Sequence, residues 1–153
     1  MKFDSTEKID FYLPKVQSFI DEVVMPVEMD ILKQDIPVNK RWEPHPEIED
    51  LKNEARDRGL WNLFLPDSDY GAGLTNYEYA HLAEAMGRTH FASEAMNCSA
   101  PDTGNMEVLV RYGSKEQQDQ WLKPLLNGEI RSAFGTVSYT HLTLPTRNCV
   151  ELA

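Results

Sequence analysis

The sequence of 153 residues has no apolar run close to the roughly 20 residues that a membrane-spanning helix needs. Its first residues, from Met1 to Ser5, lack the basic start and the apolar core of a secretory signal peptide. Two cysteines are too few for the disulfide framework of a small secreted protein. These absences predict a protein that has no membrane span and that works in a reducing cytoplasm.

Basic side chains are also scarce. The 15 lysines and arginines are outnumbered by 25 aspartates and glutamates, so the formal net charge is −10. Such a chain would repel phosphate groups, which argues against general binding to nucleic acid or to an anionic membrane. The remaining composition, with 41% hydrophobic and 26% charged residues, is that of one ordinary soluble globular domain.

The motifs of common catalytic sites are missing as well. Gly71 and Gly73 lack the third glycine and the preceding strand of a dinucleotide-binding fingerprint. Glu78 and His81 form half of a di-iron helix signature, and no second copy exists. No histidine has a cysteine or histidine partner at zinc spacing, and Cys98 has the pattern of a buried thiol. The residues themselves therefore predict neither a metal site nor a catalytic group.

Helical periodicity dominates what the sequence does contain. Apolar residues recur every three or four positions between Leu13 and Leu32, which predicts one long helix with Pro14 in its first turn and a kink or a division at Pro26. Further helices are predicted over 46–57, 75–86, 91–97, 102–112 and 114–128, and a capping box opens the last of them. The residues expected on the buried faces are Tyr79, Leu82, Ala83 and Met86 in the helix 75–86, and Trp121, Leu122 and Leu125 in the last helix. No alternation of strands and helices interrupts this series, so the predicted fold class is all-α, with about five to six helices.

The sequence changes character after Gly135. Residues 137–146 resemble the translation of a transposon-derived sequencing adapter and form no pattern with the rest of the chain. We therefore expect residues 136–153 to be a non-native, unstructured tail, which is excluded from the reasoning about the fold.

Several segments resemble, in the same order, the N-terminal helical domain of acyl-CoA dehydrogenases. They are the apolar run and proline of 59–66, the helix end at 84–88, the segment 100–107, and the stretches 112–118 and 121–129. The segment 100–107 resembles the larger members that act on longer or hydroxylated acyl chains. The resemblance covers about residues 8–135. It implies a helical domain over 1–131, followed at 132–135 by the start of a middle β-domain.

In this family the chain would continue after Gly135 with an apolar residue and then Thr-Glu-Pro, whereas here Thr136, Val137 and Ser138 follow. The resemblance therefore implies an N-terminal fragment of an FAD-dependent enzyme, which desaturates acyl-CoA thioesters between the α and β carbons. The catalytic base and most flavin contacts would lie in the missing part. We expect this fragment to be inactive and to contain no catalytic residue.

The resemblance also implies site residues and partners. Phe134 and Gly135 would contact the flavin at the start of the β-domain. One wall of the acyl pocket would be formed by Met96, Asn97, Ala100 and Thr103. Alternatively, these four residues only pack the turn between two helices, since pockets and cores are lined by the same residue types. The implied partners are an acyl-CoA substrate, an electron-transfer acceptor and further copies of the same chain.

Two other interpretations stay open. The amphipathic N-terminal helix and the acidic surface also fit a freestanding helical module that binds a partner through an apolar face. The fold would equally suit a fragment of an acyl-CoA oxidase or of a flavin-dependent monooxygenase. The residues that would separate these enzymes lie outside the helical domain.

Overall fold

The computed structural model describes residues 5–34, 37–40, 43 and 45–134, and within these ranges it contains helices and loops but no strand. The helices are α1 (Glu7–Phe19), α2 (Met25–Lys33), α3 (Pro46–Asp57), α4 (Asn76–Met86), α5 (Ala92–Ala95), α6 (Asp102–Tyr112), α7 (Lys115–Gln117) and α8 (Lys123–Leu126). Two π-turns, Ile20–Val24 and Gln118–Leu122, join α1 to α2 and α7 to α8. The described ranges thus form six continuous α-helical segments, which confirms the all-α prediction. The predicted tail lies outside the described residues, and the domain limits at 131 and 135 stay predictions.

The first helix begins earlier than the sequence predicts. The Thr6 hydroxyl accepts a hydrogen bond from the Ile9 N–H and starts α1 at Glu7, so Pro14 lies inside the helix and not in its first turn. A proline at this position removes the bond to the Asp10 carbonyl. Both Asp10 and Pro14 are exposed, so water can replace that bond. The prediction for Pro14 was therefore wrong.

Each π-turn ends two residues before a proline. The Met25 N–H bonds to the Ile20 carbonyl ahead of Pro26, and the Lys123 N–H bonds to the Gln118 carbonyl ahead of Pro124. A proline ring crowds the carbonyl four residues before it and offers no N–H in return. A turn widened by one residue relieves that conflict without breaking the helix. The predicted kink or division at Pro26 takes the form of this widened turn, and helical residues continue through it from Glu7 to Lys33.

The core lies between the long N-terminal helix and the other elements. α1 packs along α4, α3 against α5, and α6 against the second π-turn. The fully buried side chains of this core include Val16, Phe19, Ile20, Val24, Leu60, Leu63, Leu74, Leu82, Met96, Met106 and Leu122. Because these side chains are fully buried, we expect smaller side chains at most of these positions to leave cavities and to destabilise the protein.

Two predicted core residues face outward instead. Trp121 is 49% exposed, while Leu122 and Leu125 are buried as predicted. The extra residue in the π-turn rotates the buried stripe by about one position, which turns the indole away from the core. On α4, Ala83 is exposed and Ala85 is buried in its place.

Candidate substrate and cofactor site

The four residues predicted for the acyl wall lie between α5 and the first turn of α6. Met96 is fully buried in the core, and Asn97 and Thr103 are half-buried. Ala100 is exposed. Ala100 and Thr103 are accessible to a ligand, whereas Met96 packs in the core, as expected if these residues only fill the turn between two helices. The substrate role of all four stays a prediction.

The amide of Asn97 is used inside the molecule. Asn97 and Asn62 both have left-handed backbones, with φ of 53° and 57°, a conformation that asparagine adopts more readily than most residues. The Asn97 side-chain N–H₂ donates to Asn62 Oδ1 at 2.7 Å and to the Leu125 carbonyl at 3.1 Å. The Asn62 side-chain N–H₂ donates to the Leu126 carbonyl at 3.0 Å, and its backbone N–H donates to the Met96 carbonyl. This asparagine pair fixes the acyl-wall segment against α8.

Asp102 is the most highly bonded buried carboxylate at this end of α6. Only 4% of Asp102 is exposed. Its Oδ1 accepts from the Ser132 N–H at 2.7 Å and from the Ser132 hydroxyl at 2.5 Å, and its Oδ2 accepts from Arg131 Nε at 2.7 Å. One turn later, Asn105 Nδ2 donates to Ser132 Oγ at 2.8 Å. We call Asp102, Asn105, Arg131 and Ser132 the Asp102 clamp, because they hold the chain just before Phe134.

A row of alternating charges continues from the clamp. Arg131 also pairs with Glu94, and Glu94 pairs with the buried ammonium of Lys52 at 3.0 Å. Burial would lower the pKa of Arg131, but the charges of Glu94 and Asp102 and their hydrogen bonds outweigh it and raise that pKa. The guanidinium therefore stays charged at every pH of interest and keeps the clamp closed.

A cavity of about 750 Å³ adjoins this row of charges. It lies between α3, the residues around α5 and the segment Gly128 to Arg131, and its lining includes Ile48, Lys52 and Phe91. None of the four predicted acyl-wall residues lines it. The cavity is therefore separate from the predicted wall, although Glu94 and Arg131 border both the cavity and the clamp.

Of the two predicted flavin contacts, the structure describes only Phe134. Phe134 is 72% exposed and follows the clamp by two residues, while Gly135 lies outside the described residues. The role of both residues stays a prediction.

The sequence reasoning did not identify the clamp. Asp102 was noted only as a possible helix start, and Asn105, Arg131 and Ser132 have no motif of their own. The pairing joins residues 29 positions apart, so neither periodicity nor spacing reveals it. Cys98, in contrast, is buried as its pattern predicts, and burial raises the pKa of its thiol to about 11.

Among the described residues, no group of three or more His, Cys, Asp and Glu side chains could hold a metal ion. None of the helices described is both long and apolar enough to cross a membrane.

The described residues form an all-α domain, and the comparison with known proteins shows the family to which it belongs. Residues 6–129 match the family described as "Acyl-CoA dehydrogenase, N-terminal domain". The chain therefore belongs to the acyl-CoA dehydrogenase family and contains its N-terminal domain.

Individual relatives agree with this assignment. The chain is 57% identical over 121 residues to "Acyl-CoA dehydrogenase family member 10" of Mus musculus, covering 76% of this chain and 11% of the relative. It is 54% identical over 104 residues to "Probable acyl-CoA dehydrogenase FadE2" of Mycobacterium tuberculosis, covering 67% of this chain and 25% of the relative. The solved structure of a putative acyl-CoA dehydrogenase from Mycobacterium abscessus superimposes with a TM-score of 0.80 at 50% identity, over 86% of this chain and 34% of that one. The chain thus spans between 11% and 34% of these proteins.

Proposed function

We propose that this chain is the N-terminal helical domain of an FAD-dependent acyl-CoA dehydrogenase, which introduces a double bond between the α and β carbons of an acyl-CoA thioester. The observation that carries the proposal is the family match over residues 6–129, supported by 57% identity to a mammalian member of the family. The superposition with a solved putative member agrees with it.

The part of this chain in the reaction is positional. Ala100 and Thr103 are accessible at the start of α6 and would form one wall around the acyl chain. The Asp102 clamp holds the backbone before Phe134, whose exposed ring would pack against the cofactor. Bound FAD would supply the electron acceptor for the β hydride. In the family that the chain resembles, the carboxylate that removes the α proton belongs to the C-terminal domain, so we expect the N-terminal domain by itself to be inactive.

The partners belong to the same proposal. An acyl-CoA substrate, an electron-transfer acceptor and assembly into a homo-oligomer follow from the family. We also propose a cytoplasmic location, because two cysteines, one of them a free, buried thiol, fit a reducing compartment.

The experiment uses the enzyme that contains this domain, purified and loaded with FAD. We expect bleaching of the flavin absorbance by an acyl-CoA, and turnover with an artificial electron acceptor. The 153-residue chain alone is the matched control, and we expect it to retain no flavin and to show no turnover. An enzyme that binds no flavin, or a flavoprotein that no acyl-CoA reduces, would contradict the proposal.

A further inference from the structure

The Asp102 clamp joins two parts of the proposed site that are far apart in the sequence. Ala100, just before α6, and Thr103, in its first turn, lie on the accessible side, and Asp102 is buried on the inner side. The other half of the clamp, Arg131 and Ser132, leads directly into Phe134. A single carboxylate therefore lies between the predicted acyl wall and the predicted flavin contact.

The chemistry of the clamp favours a positioning role over a purely stabilising one. Burying a carboxylate costs free energy unless its oxygens are hydrogen-bonded, and apolar residues of similar volume often stabilise such a place as well or better. What a carboxylate adds is direction. Oδ1 and Oδ2 of Asp102 bind three donors from two consecutive residues, which fixes both the distance and the orientation of that backbone.

Asn105 adds a second constraint to the same segment. Its side-chain N–H₂ donates to Ser132 Oγ, whose own proton goes to Asp102, so the serine hydroxyl is fully engaged between two residues of α6. The Asn105 side-chain N–H₂ also donates to the Ala133 carbonyl at 3.5 Å. With Asp102 and Asn105 one helical turn apart, the segment is held at two points and cannot pivot about one bond.

We propose that Asp102 is a positioning residue for the dehydrogenation: it sets the spacing between the acyl wall on α6 and the residues that face the flavin. This inference rests on the proposed function, because the spacing matters only if acyl chain and flavin meet here. A misplacement of about 1 Å can reduce the rate of a reaction by as much as about 100-fold, so a small movement of this segment would be visible in kcat.

The test compares Asp102→Asn with two controls in the flavin-loaded enzyme that contains this domain. Glu107→Gln removes a carboxylate from the same helix, where it pairs only loosely with Arg111 at 3.7 Å. Thr75→Ala removes the N-cap of α4, which is not part of the clamp, and so shows what a general loss of stability does to kcat. We expect Asp102→Asn to lower kcat by about tenfold or more while KM for the acyl-CoA changes by less than about threefold. Neither control should lower kcat in this way.

A second readout does not depend on activity. Amide hydrogen exchange reports local opening, and we expect exchange at residues 132–134 of the 153-residue chain to accelerate in Asp102→Asn but not in either control. If Asp102→Asn does not fold, Asn105→Ala, which removes only the bonds to Ser132 and Ala133, should give the same pattern with a smaller amplitude.

The outcomes separate this inference from the proposed function. A folded, flavin-loaded Asp102→Asn enzyme that keeps the wild-type kcat overturns the positioning role, as does an equal loss of kcat in Thr75→Ala. Unchanged exchange at residues 132–134 in the variants overturns it too. A wild-type enzyme without flavin or acyl-CoA turnover overturns the proposed function and, with it, the positioning role, whatever the exchange shows.

Discussion

Single asparagines decide the path of the backbone around the candidate site. Asn62 and Asn97 combine a left-handed backbone with side-chain amides that bond to each other and to the end of α8. Most other residues would pay for the backbone conformation and lose the bonds as well. The two contributions can be separated at Asn97, because glycine accepts the conformation without supplying the amide.

We therefore expect Asn97→Ala to lower the free energy of unfolding by about 3 kcal/mol, from backbone strain together with lost hydrogen bonds. Asn97→Gly should lower the free energy of unfolding by about 1 kcal/mol less than Asn97→Ala, because glycine adopts the left-handed conformation without strain although it also lacks the amide. Urea denaturation of the 153-residue chain and both variants measures the difference. Equal losses in the two variants would mean that the left-handed conformation costs nothing here.

A second residue, Glu78, ties two helix starts together. Its carboxylate accepts from the Thr75 N–H at 2.8 Å and the Thr75 hydroxyl at the start of α4, and from the Thr6 hydroxyl at 2.8 Å at the start of α1. The hydrogen bond from the Thr75 backbone, followed by that from Thr6, lowers the pKa of Glu78 below its ordinary value. The charged form is thus the one that the fold stabilises.

The stabilisation by Glu78 should depend on pH in one direction. A depressed pKa in the folded state stabilises the protein above the unfolded pKa of about 4.3, and this stabilisation is lost as the pH falls through the folded pKa. In Glu78→Gln the capping box can still form, as Gln117 shows with Ser114, so the variant isolates the charge. We expect wild type to be the more stable at neutral pH and the difference to shrink at acid pH. Denaturation curves of both proteins across this pH range measure the difference in the free energy of unfolding. A difference that does not change with pH would contradict this account.

At the scale of whole elements, helix α6 has two contrasting faces. Asp102 and Met106 are buried, whereas Gly104, Val108 and Tyr112 recur every fourth residue and are exposed. A Cβ at Gly104 would meet no atom within 4 Å, so this glycine has no steric reason within the described residues. Gly113, at the end of the same helix, would place a Cβ 2.5 Å from the Leu109 carbonyl oxygen.

These two glycines should respond oppositely to the same substitution. Gly104→Ala should raise the free energy of unfolding by about 0.5–1 kcal/mol, since alanine is the better helix residue and nothing obstructs it. Gly113→Ala should lower it by about 1–3 kcal/mol, because the added methyl overlaps the backbone of α6. Thermal or urea unfolding of each variant decides the matter. A destabilised Gly104→Ala would show that this face of α6 is covered in the folded chain.

The elements were predictable where their signals are local. The N-cap at Thr75 and the capping box from Ser114 to Gln117 place the starts of α4 and α7 within one residue, because a cap satisfies the first backbone N–H groups of its helix. The start of α1 was missed because the preference of Pro14 for a first turn is outweighed by the burial of Ile9 and the cap at Thr6. The π-turns were missed because a widened turn has no sequence period, and the error at Trp121 followed from them.

For the molecule as a whole, the predictable part ends at contacts between distant segments. The resemblance implies positions for an acyl wall and a flavin-facing end, and the structure describes all of these residues except Gly135. It could not reveal that Asp102 reaches Arg131 or that Asn62 reaches Asn97, because such pairs depend on how helices pack and not on residue type. The helices were therefore foreseen, but the bonds that fix the candidate site were not.

The exposed face of α6 leads to a prediction for the whole chain. Val108 and Tyr112 are adjacent on this face, and both are more than half exposed, which makes them an apolar patch on the helix that also carries Thr103. Such patches promote self-association. We expect the 153-residue chain to bind a hydrophobic dye and to associate as its concentration rises. The double variant with Val108→Gln and Tyr112→Gln should reduce both effects without lowering the melting temperature.

The matched control is Val38→Gln, because Val38 is equally apolar and highly exposed but lies away from α6, on the short 3₁₀ turn Val38–Lys40. This substitution should change neither dye binding nor association if the α6 face is responsible. Sedimentation velocity and dye fluorescence across a concentration series provide the measurement. A wild-type chain that stays monomeric and binds no dye, or a Val38→Gln variant that matches the double variant, would show that the face of α6 is not the adhesive surface.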